Sequence, residues 1–475
     1  MRPIRLLRPV AAAALIPAVL SACAVGPSYK TPSIPPEAAG PFVSAEAGPF
    51  SAGEVRTDWW RIYEDPPLDQ LVTEALEANR DIAVAAANLA QVRAALGEAR
   101  AGLVPTTTLS GQAARVRQQD PASGRFVETD SFVAGVDLAY EADLFGRVRR
   151  SIEAGRADVG AAQALLDAAR INVAAETARA YADVCAANLQ IETARRTLDL
   201  QQETTDLTER QFDLGRGAGL DVARARTQLE STRATLPPLE ARRDGALFRL
   251  AVLTGRPPAQ APQAVATCQS VPQAAALIPA GDAAALLARR PDVREAEQRL
   301  AAATARVGVA TAAFYPSVTL GGGLATQAVE ASDLGQDYTF SLGPLISWRF
   351  PNILAARAQV AQAGAAAEAA LARFEQTQLT ALQETETALV QYAKTLERRA
   401  ALSAALDEGR RAARLSRLRY DAGVDSFLSV LDAERTLAGL EAQFAQAQAE
   451  VADAQIGVFK ALGGGWQGGG DPTVR

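Results

Sequence analysis

Two stretches of this 475-residue chain, from Arg147 to Asp213 and from Leu354 to Asp421, contain no proline, although 25 prolines are spread through the rest. Both are rich in Ala, Leu, Gln, Glu and Arg, which lose little on entering a helix. An unbroken helix of about 65 residues is roughly 100 Å long, far longer than a globular core can cover. It must therefore lie along other helices. Leu382, Leu389 and Leu396 recur seven apart, the spacing of a coiled-coil seam. Alanine at the inward positions would let such helices approach closely; an alanine-rich solvent face is the alternative.

The chain also repeats itself. NRDIAVAAANLAQVRAALGEARAGLVPTTTLSG aligns with RPDVREAEQRLAAATARVGVATAAFYPSVTLGG, placing Asp81 on Asp292 and Pro105 on Pro316, and FDLGRGAGLDVARARTQL from Phe212 aligns with YDAGVDSFLSVLDAERTL from Tyr420. The offsets nearly agree, so one long unit is duplicated in tandem. Each half reads helix, two strands, long helix, turn, helix. The first repeat is placed at 58–265, with strands about 106–117 and 130–141 and a tip about 213–221. The second is placed at 266–462, with strands about 317–327 and 337–349 and a tip about 421–429. A Gly-rich tail, 463–475, is expected to be flexible.

The strand candidates alternate. Phe132, Ala134, Val136, Leu138 and Tyr140 fall on one face, as do Tyr338, Phe340, Leu342, Pro344, Ile346 and Trp348 in the second half. Runs of about ten residues with an aromatic end suit tilted transmembrane strands, although a half-buried soluble sheet has the same pattern. Four strands cannot close, and an open edge is not tolerated in lipid. If these strands span a membrane, several copies must share the barrel.

Composition excludes much chemistry. Histidine is absent, so there is no Ser-His-Asp triad and no imidazole metal site. The GGG at Gly321 lies in a strand candidate and cradles no phosphate. A net charge of −6, with no basic cluster among aromatics, argues against nucleic acid. No enzyme activity, cofactor or metal is expected, and energy for any transport must come from elsewhere. Trp59 and Trp60 are expected in core or inter-protomer packing, rather than as a ligand platform. Nothing in the spacing of Cys185 and Cys268 demands that they pair, although an oxidising compartment permits it.

The first residues carry an address. Arg2, Arg5 and Arg8 precede an apolar run from Val10 to Leu20, the pattern of a secretory signal covering 1–22. Leu20-Ser21-Ala22-Cys23 resembles the bacterial lipobox, which implies cleavage before Cys23 and lipid, palmitate included, on that residue. Ala24, rather than Asp, resembles an outer-membrane sorting signal. A lipidated extended segment, 23–57, follows.

CAVGPSYKTP at Cys23, DWWRIYEDPPLDQLV, RRPDVREAE, FYPSVTLGGG and the paired RQFDLGRGAGLDVARA and LRYDAGVDSFLSVLDAE resemble the NodT-type lipoproteins of the TolC-like outer-membrane factor family. The resemblance implies a mainly α protein with a membrane β-barrel. Each protomer of a homotrimer would give four strands to a 12-stranded barrel, and antiparallel coiled-coil helices would form an α-barrel tunnel in the periplasm. It implies an exit duct for small drugs or toxic compounds, served by a periplasmic adaptor (a membrane fusion protein) and an inner-membrane pump of the resistance-nodulation-division type. Type I protein secretion is the alternative, then a periplasmic adaptor or a structural coiled-coil lipoprotein. The adaptor would need a β-rich half, and the tandem duplication argues against it.

At the tips, Gly215, Gly217, Gly219 and Gly423 break two helical patterns at equivalent places. Glycine suits the left-handed conformation that reverses a chain between antiparallel helices. With Asp425 and Ser426 they form the expected docking surface for the adaptor. Asp221 and Asp432 follow, and caps or dipole compensation would explain them. By resemblance they match acidic gate positions, and Tyr420 a tyrosine of the same network. Asp425 stands where a base is expected and Ser429 where an acid is, which predicts a gate bonded differently from the family's.

Overall fold

The computed structural model describes residues 24–33, 40–45, 48–51, 53, 56–119, 121–268, 270–274, 277–348, 350 and 353–464. The expected signal peptide, Cys23 and the tail beyond 464 lie outside the described residues.

A short strand β1 (Phe50–Ser51) and a 3-10 turn (Trp59–Tyr63) lead into α1 (Pro66–Ala78) and α2 (Arg80–Ala101). The antiparallel pair β2 (Thr106–Gln119) and β3 (Phe126–Ala142) follows, then the 67-residue α3 (Arg147–Asp213), α4 (Gly219–Arg233) and α5 (Leu236–Leu253). A connection containing β4 (Ile278–Pro279) joins the halves, β4 pairing in parallel with β1. The pattern then recurs as α6 (Ala283–Arg289), α7 (Pro291–Thr311), β5 (Ser317–Ala328), β6 (Tyr338–Ser347), the 69-residue α8 (Ile353–Asp421) and α9 (Phe427–Ala461).

Local chemistry sets the starts. Asp65 accepts the Leu68 N–H at 3.2 Å, and Pro66 and Pro67 occupy the first turn of α1. Asn79 does the same for α2, taking the N–H groups of Asp81 and Ile82. One helix differs from the sequence expectation. The helix returning from the first tip is split at Ala234–Thr235, because Pro237 and Pro238 fit only in the first turn of a new helix. Its counterpart α9 carries no proline and runs unbroken.

The chain divides into two compact parts. Among the described residues, one comprises 24–32, Asn88–Gln163 and Glu295–Gln376 and contains the four-stranded sheet, in the order β2-β3-β5-β6, antiparallel throughout. Its central pairing joins the halves of the chain, from Phe132 opposite Ala328 to Ala142 opposite Val318. Among the described residues, β2 and β6 each pair on one side only. Pro344, which has no N–H to donate, sits on β6, a terminal strand of this kind. Every residue of β6 is exposed, Phe340 at 78% and Leu342 at 81%, so among the described residues its apolar face is uncovered. β3 begins at Phe126, earlier than expected, because β2 stays in register with it through polar residues such as Glu128 and Thr129.

The second part comprises, among the described residues, Ser33–Ala87, Ala164–Arg294 and 377–464. Ala174, Ala175 and Ala178 of α3 are fully buried with Leu68, Val72, Leu389 and Ile456, so alanine here allows close helix contact. In α8 most alanines are at least partly open. Trp59 lies in this core, stacked on Phe459 with centroids 4.9 Å apart, and Trp60 donates to Asp69. Cys185 and Cys268 are joined by a disulfide. The turn Gln263–Thr267 lies across α3, where Asn188 Nδ2 also donates to the carbonyls of Ala266 and Cys268. No described helix is long and apolar enough to cross a membrane.

Candidate functional site

Both long helices end in the same way. At the end of α3 the Arg216 N–H returns to the Gln211 carbonyl at 2.8 Å and Gly215 N–H to Phe212. At the end of α8, Val424 N–H returns to Arg419 at 2.9 Å and Gly423 N–H to Tyr420. These paired bonds are the Schellman motif, whose turning residue needs positive φ. Gly215 (φ 67°) and Gly423 (φ 70°) supply it. The other tip glycines do not turn the chain. A Cβ on Gly217 would lie 3.1 Å from the Phe212 nitrogen, so close backbone approach explains that position, whereas Gly219 meets only the Phe212 ring at ordinary distance. Ser426 occupies the cap position of α9 without a side-chain cap bond.

The two tips are not chemically equivalent. At an offset of 208 residues, Asp221 corresponds to Ser429 and Arg224 to Asp432. Asp221 lies 3.7 Å from Arg224, one turn along α4. Asp432 is exposed and, among the described residues, its carboxylate has no bonding partner. It lines a groove of about 440 Å³ between α4 and α9 with Leu220, Arg224, Leu428, Leu431 and Arg435. Asp221 does not line that groove, so the two aspartates are not brought together. Tyr420 bonds to neither of them. Its hydroxyl donates to Gln211 Oε1 at 2.5 Å, its ring packs on Phe427, and the pair joins the small core of Ala225, Val430 and Leu431.

Asp425, placed where a base was expected, receives a two-pronged bond from Arg419 at 2.7 and 3.0 Å. That guanidinium holds the Asp425 carboxyl below the usual carboxylate range. The arginine therefore comes from the last turn of α8, and the clamp closes one tip on itself.

Above the tips, α3 presents buried Gln201, Thr204, Thr205 and Thr208 where a coiled coil ordinarily buries leucine. Glu434 of α9 faces them, accepting at 3.4 Å from Gln201 and Thr204 and lying 3.7 Å from Arg417 of α8. Seven residues on, Glu441 repeats the arrangement with Thr197 and Arg410. Burial pushes the Glu434 carboxyl above the ordinary value of 4.5, against the pull of Arg417 and the two bonds. The folded chain thus keeps a proton that the unfolded chain has lost. The contribution from this group is fully present below 4.5 and is lost as pH rises through the raised value. Thermal unfolding of wild type and Glu434→Gln, compared from mild acid to neutrality, should diverge, with the variant gaining relative stability as pH rises; parallel curves would exclude this role for Glu434. The seven-residue spacing of Glu434–Glu441 and Arg410–Arg417 was a visible signal of this seam that sequence reasoning passed over.

Among the described residues no group of three or more His, Cys, Asp or Glu is placed to hold a metal. A family model described as outer membrane efflux protein matches residues 71–256 and 283–464, one stretch in each half. Nodulation protein T of Rhizobium leguminosarum bv. trifolii is 29% identical over 451 residues, covering 94% of this chain and 96% of that protein. The toluene efflux pump outer membrane protein TtgC of Pseudomonas putida is 31% identical over 465 residues, covering 94% of each. Of solved structures, the outer-membrane channel OprN superposes with a TM-score of 0.87 at 37% identity, covering 94% of this chain and 100% of that one. With a four-stranded sheet carrying an uncovered apolar face, two matched helical tips and this likeness along nearly its whole length, the chain belongs to the outer membrane efflux protein family and is a channel of the outer membrane.

Proposed function

We propose that the chain acts as a homotrimeric exit duct, conducting small toxic or drug-like molecules outward without chemistry of its own. The carrying observation is the open sheet: among the described residues β2 and β6 present unpaired edges, and lipid does not tolerate them. Three copies would close a 12-stranded barrel, with lipid on Cys23 as a second hold. An inner-membrane pump, of the resistance-nodulation-division type, would supply the energy, and a periplasmic adaptor would meet the tips around Gly215, Gly217, Gly219, Gly423, Asp425 and Ser426. Small amphipathic or solvent-like cargo is favoured because a relative bears the name of a toluene efflux pump.

In such a ring Asp432 would recur three times around the axis, its charge uncompensated by any bonded partner, while Asp221 is partly answered by Arg224. Tyr420 would hold one tip to the other through Gln211. A ring of carboxylates draws cations. Purified from outer membranes in detergent, the protein should have the mass of a trimer by light scattering and show small, cation-preferring conductance in planar bilayers. Asp432→Ala should reduce cation preference about severalfold, more than Asp221→Ala does. A non-conducting monomer that needs no detergent would overturn the duct, and unchanged selectivity in both variants would overturn the gate.

A further inference from the structure

The motif AVGPSYKTP is not used by the duct reading, yet residues 24–31 lie in a closely fitted seat within the sheet-bearing part of the chain. Arg150, near the start of α3, is only 6% exposed. Its Nε donates to the Val25 carbonyl and its Nη2 to the Gly26 carbonyl and Ser28 Oγ, each at 3.2 Å, while Nη1 is balanced by Glu153 at 2.7 Å. Val25 N–H donates to the Phe145 carbonyl at 3.2 Å. Tyr29 and Thr31 both donate to Glu297 Oε1 at 3.1 Å, and burial pushes the Tyr29 phenol up to about 12.

The fit is set by three missing side chains. Gly26 has φ 88°, and a Cβ there would stand 2.5 Å from the Gly308 Cα. A Cβ on Gly308 would strike the Arg150 stem at 2.9 Å, and one on Gly146 would strike the Ala24 Cα at 2.8 Å. The first and last of these contacts are with backbone and cannot be relieved by rotating a side chain, and the Gly308 contact would move Arg150 off its carbonyls. A buried guanidinium reading two successive carbonyls, a glycine against a glycine and a carboxylate taking two hydroxyls amount to a receptor for an extended peptide.

We infer that Gly146, Arg150, Glu297 and Gly308 form a peptide-binding site selective for Val-Gly-Pro-Ser-Tyr, and that residues 24–31 are its separable ligand, a strap that locks the mature N-terminus beside the root of β3. Ala24, the residue after the proposed lipid attachment, rests on Gly146, four residues beyond the end of β3, so the lock would fix the anchor at the barrel's base.

The test uses the full chain with Gly26→Ala, a change confined to the ligand. Trypsin cleavage after Lys30 requires the strap to lift, and it should be about tenfold faster or more in the variant. A fluorescent synthetic peptide, AVGPSYKTP, should then bind the vacated seat of Gly26→Ala but neither wild type, whose seat is filled, nor Gly26→Ala with Gly308→Ala. Equal cleavage rates would overturn the lock. Fast cleavage with no peptide binding, in a variant whose unfolding temperature and detergent mass match wild type, would overturn the receptor and leave a strap that packs only because it is tethered.

Discussion

Replacing Cys185 and Cys268 together by alanine, or reducing them, should cost the folded chain about 2–4 kcal/mol. The bond closes a loop of 83 residues, long enough that the unfolded chain loses much freedom by it. In the folded chain it fastens the connection after α5 to α3, in company with the two bonds from Asn188. Alanine suits Cys185, which is fully buried and where a serine hydroxyl would add its own desolvation cost. Since large membrane proteins seldom refold after heating, the measurement is the rate of thermal inactivation with and without reductant. Wild type should lose resistance on reduction and the double variant should not respond. If reductant leaves wild type unchanged, the disulfide contributes nothing to stability.

Trp59→Ala should be as damaging, at about 3–5 kcal/mol. The indole is 1% exposed and is surrounded by rings: Phe459 stacked on it, Trp60 and Tyr63 edge-on at 6.0 and 6.2 Å. Its removal leaves a cavity between the segment that opens the first repeat and the helix that closes the second. Trp59→Phe should recover part of the loss by keeping an aromatic face against Phe459. Denaturant unfolding followed by circular dichroism would distinguish the two substitutions, and an alanine variant as stable as wild type would mean the cavity refills without cost.

The long elements were legible because their signals are local. Absence of proline marks α3 and α8, alternation marks β3 and β6, and the αL requirement marks Gly215 and Gly423. The split before Pro237 was legible too, from the residue's missing N–H, but was masked by the apparent symmetry of the halves. What could not be read from the chain alone depends on register between segments some two hundred residues apart. Tyr420 meets Gln211, and Glu434 meets Thr204, only once the helices are packed side by side. Arg419 is the opposite case. It lies six residues from Asp425, a spacing legible in the chain, whereas the family resemblance points to a base at position 425 itself. The disulfide likewise awaited the path of the Pro-rich connection over α3.

The unpaired margins of β2 and β6 carry a consequence for heredity. In the proposed trimer, a wall completed by several copies is only as sound as its least sound contributor, so a gene product unable to offer a good margin does more harm than one never made. Alleles that spoil Tyr338–Ser347 or Thr106–Gln119 should then be dominant over a normal copy in the same cell, whereas deletions should be recessive.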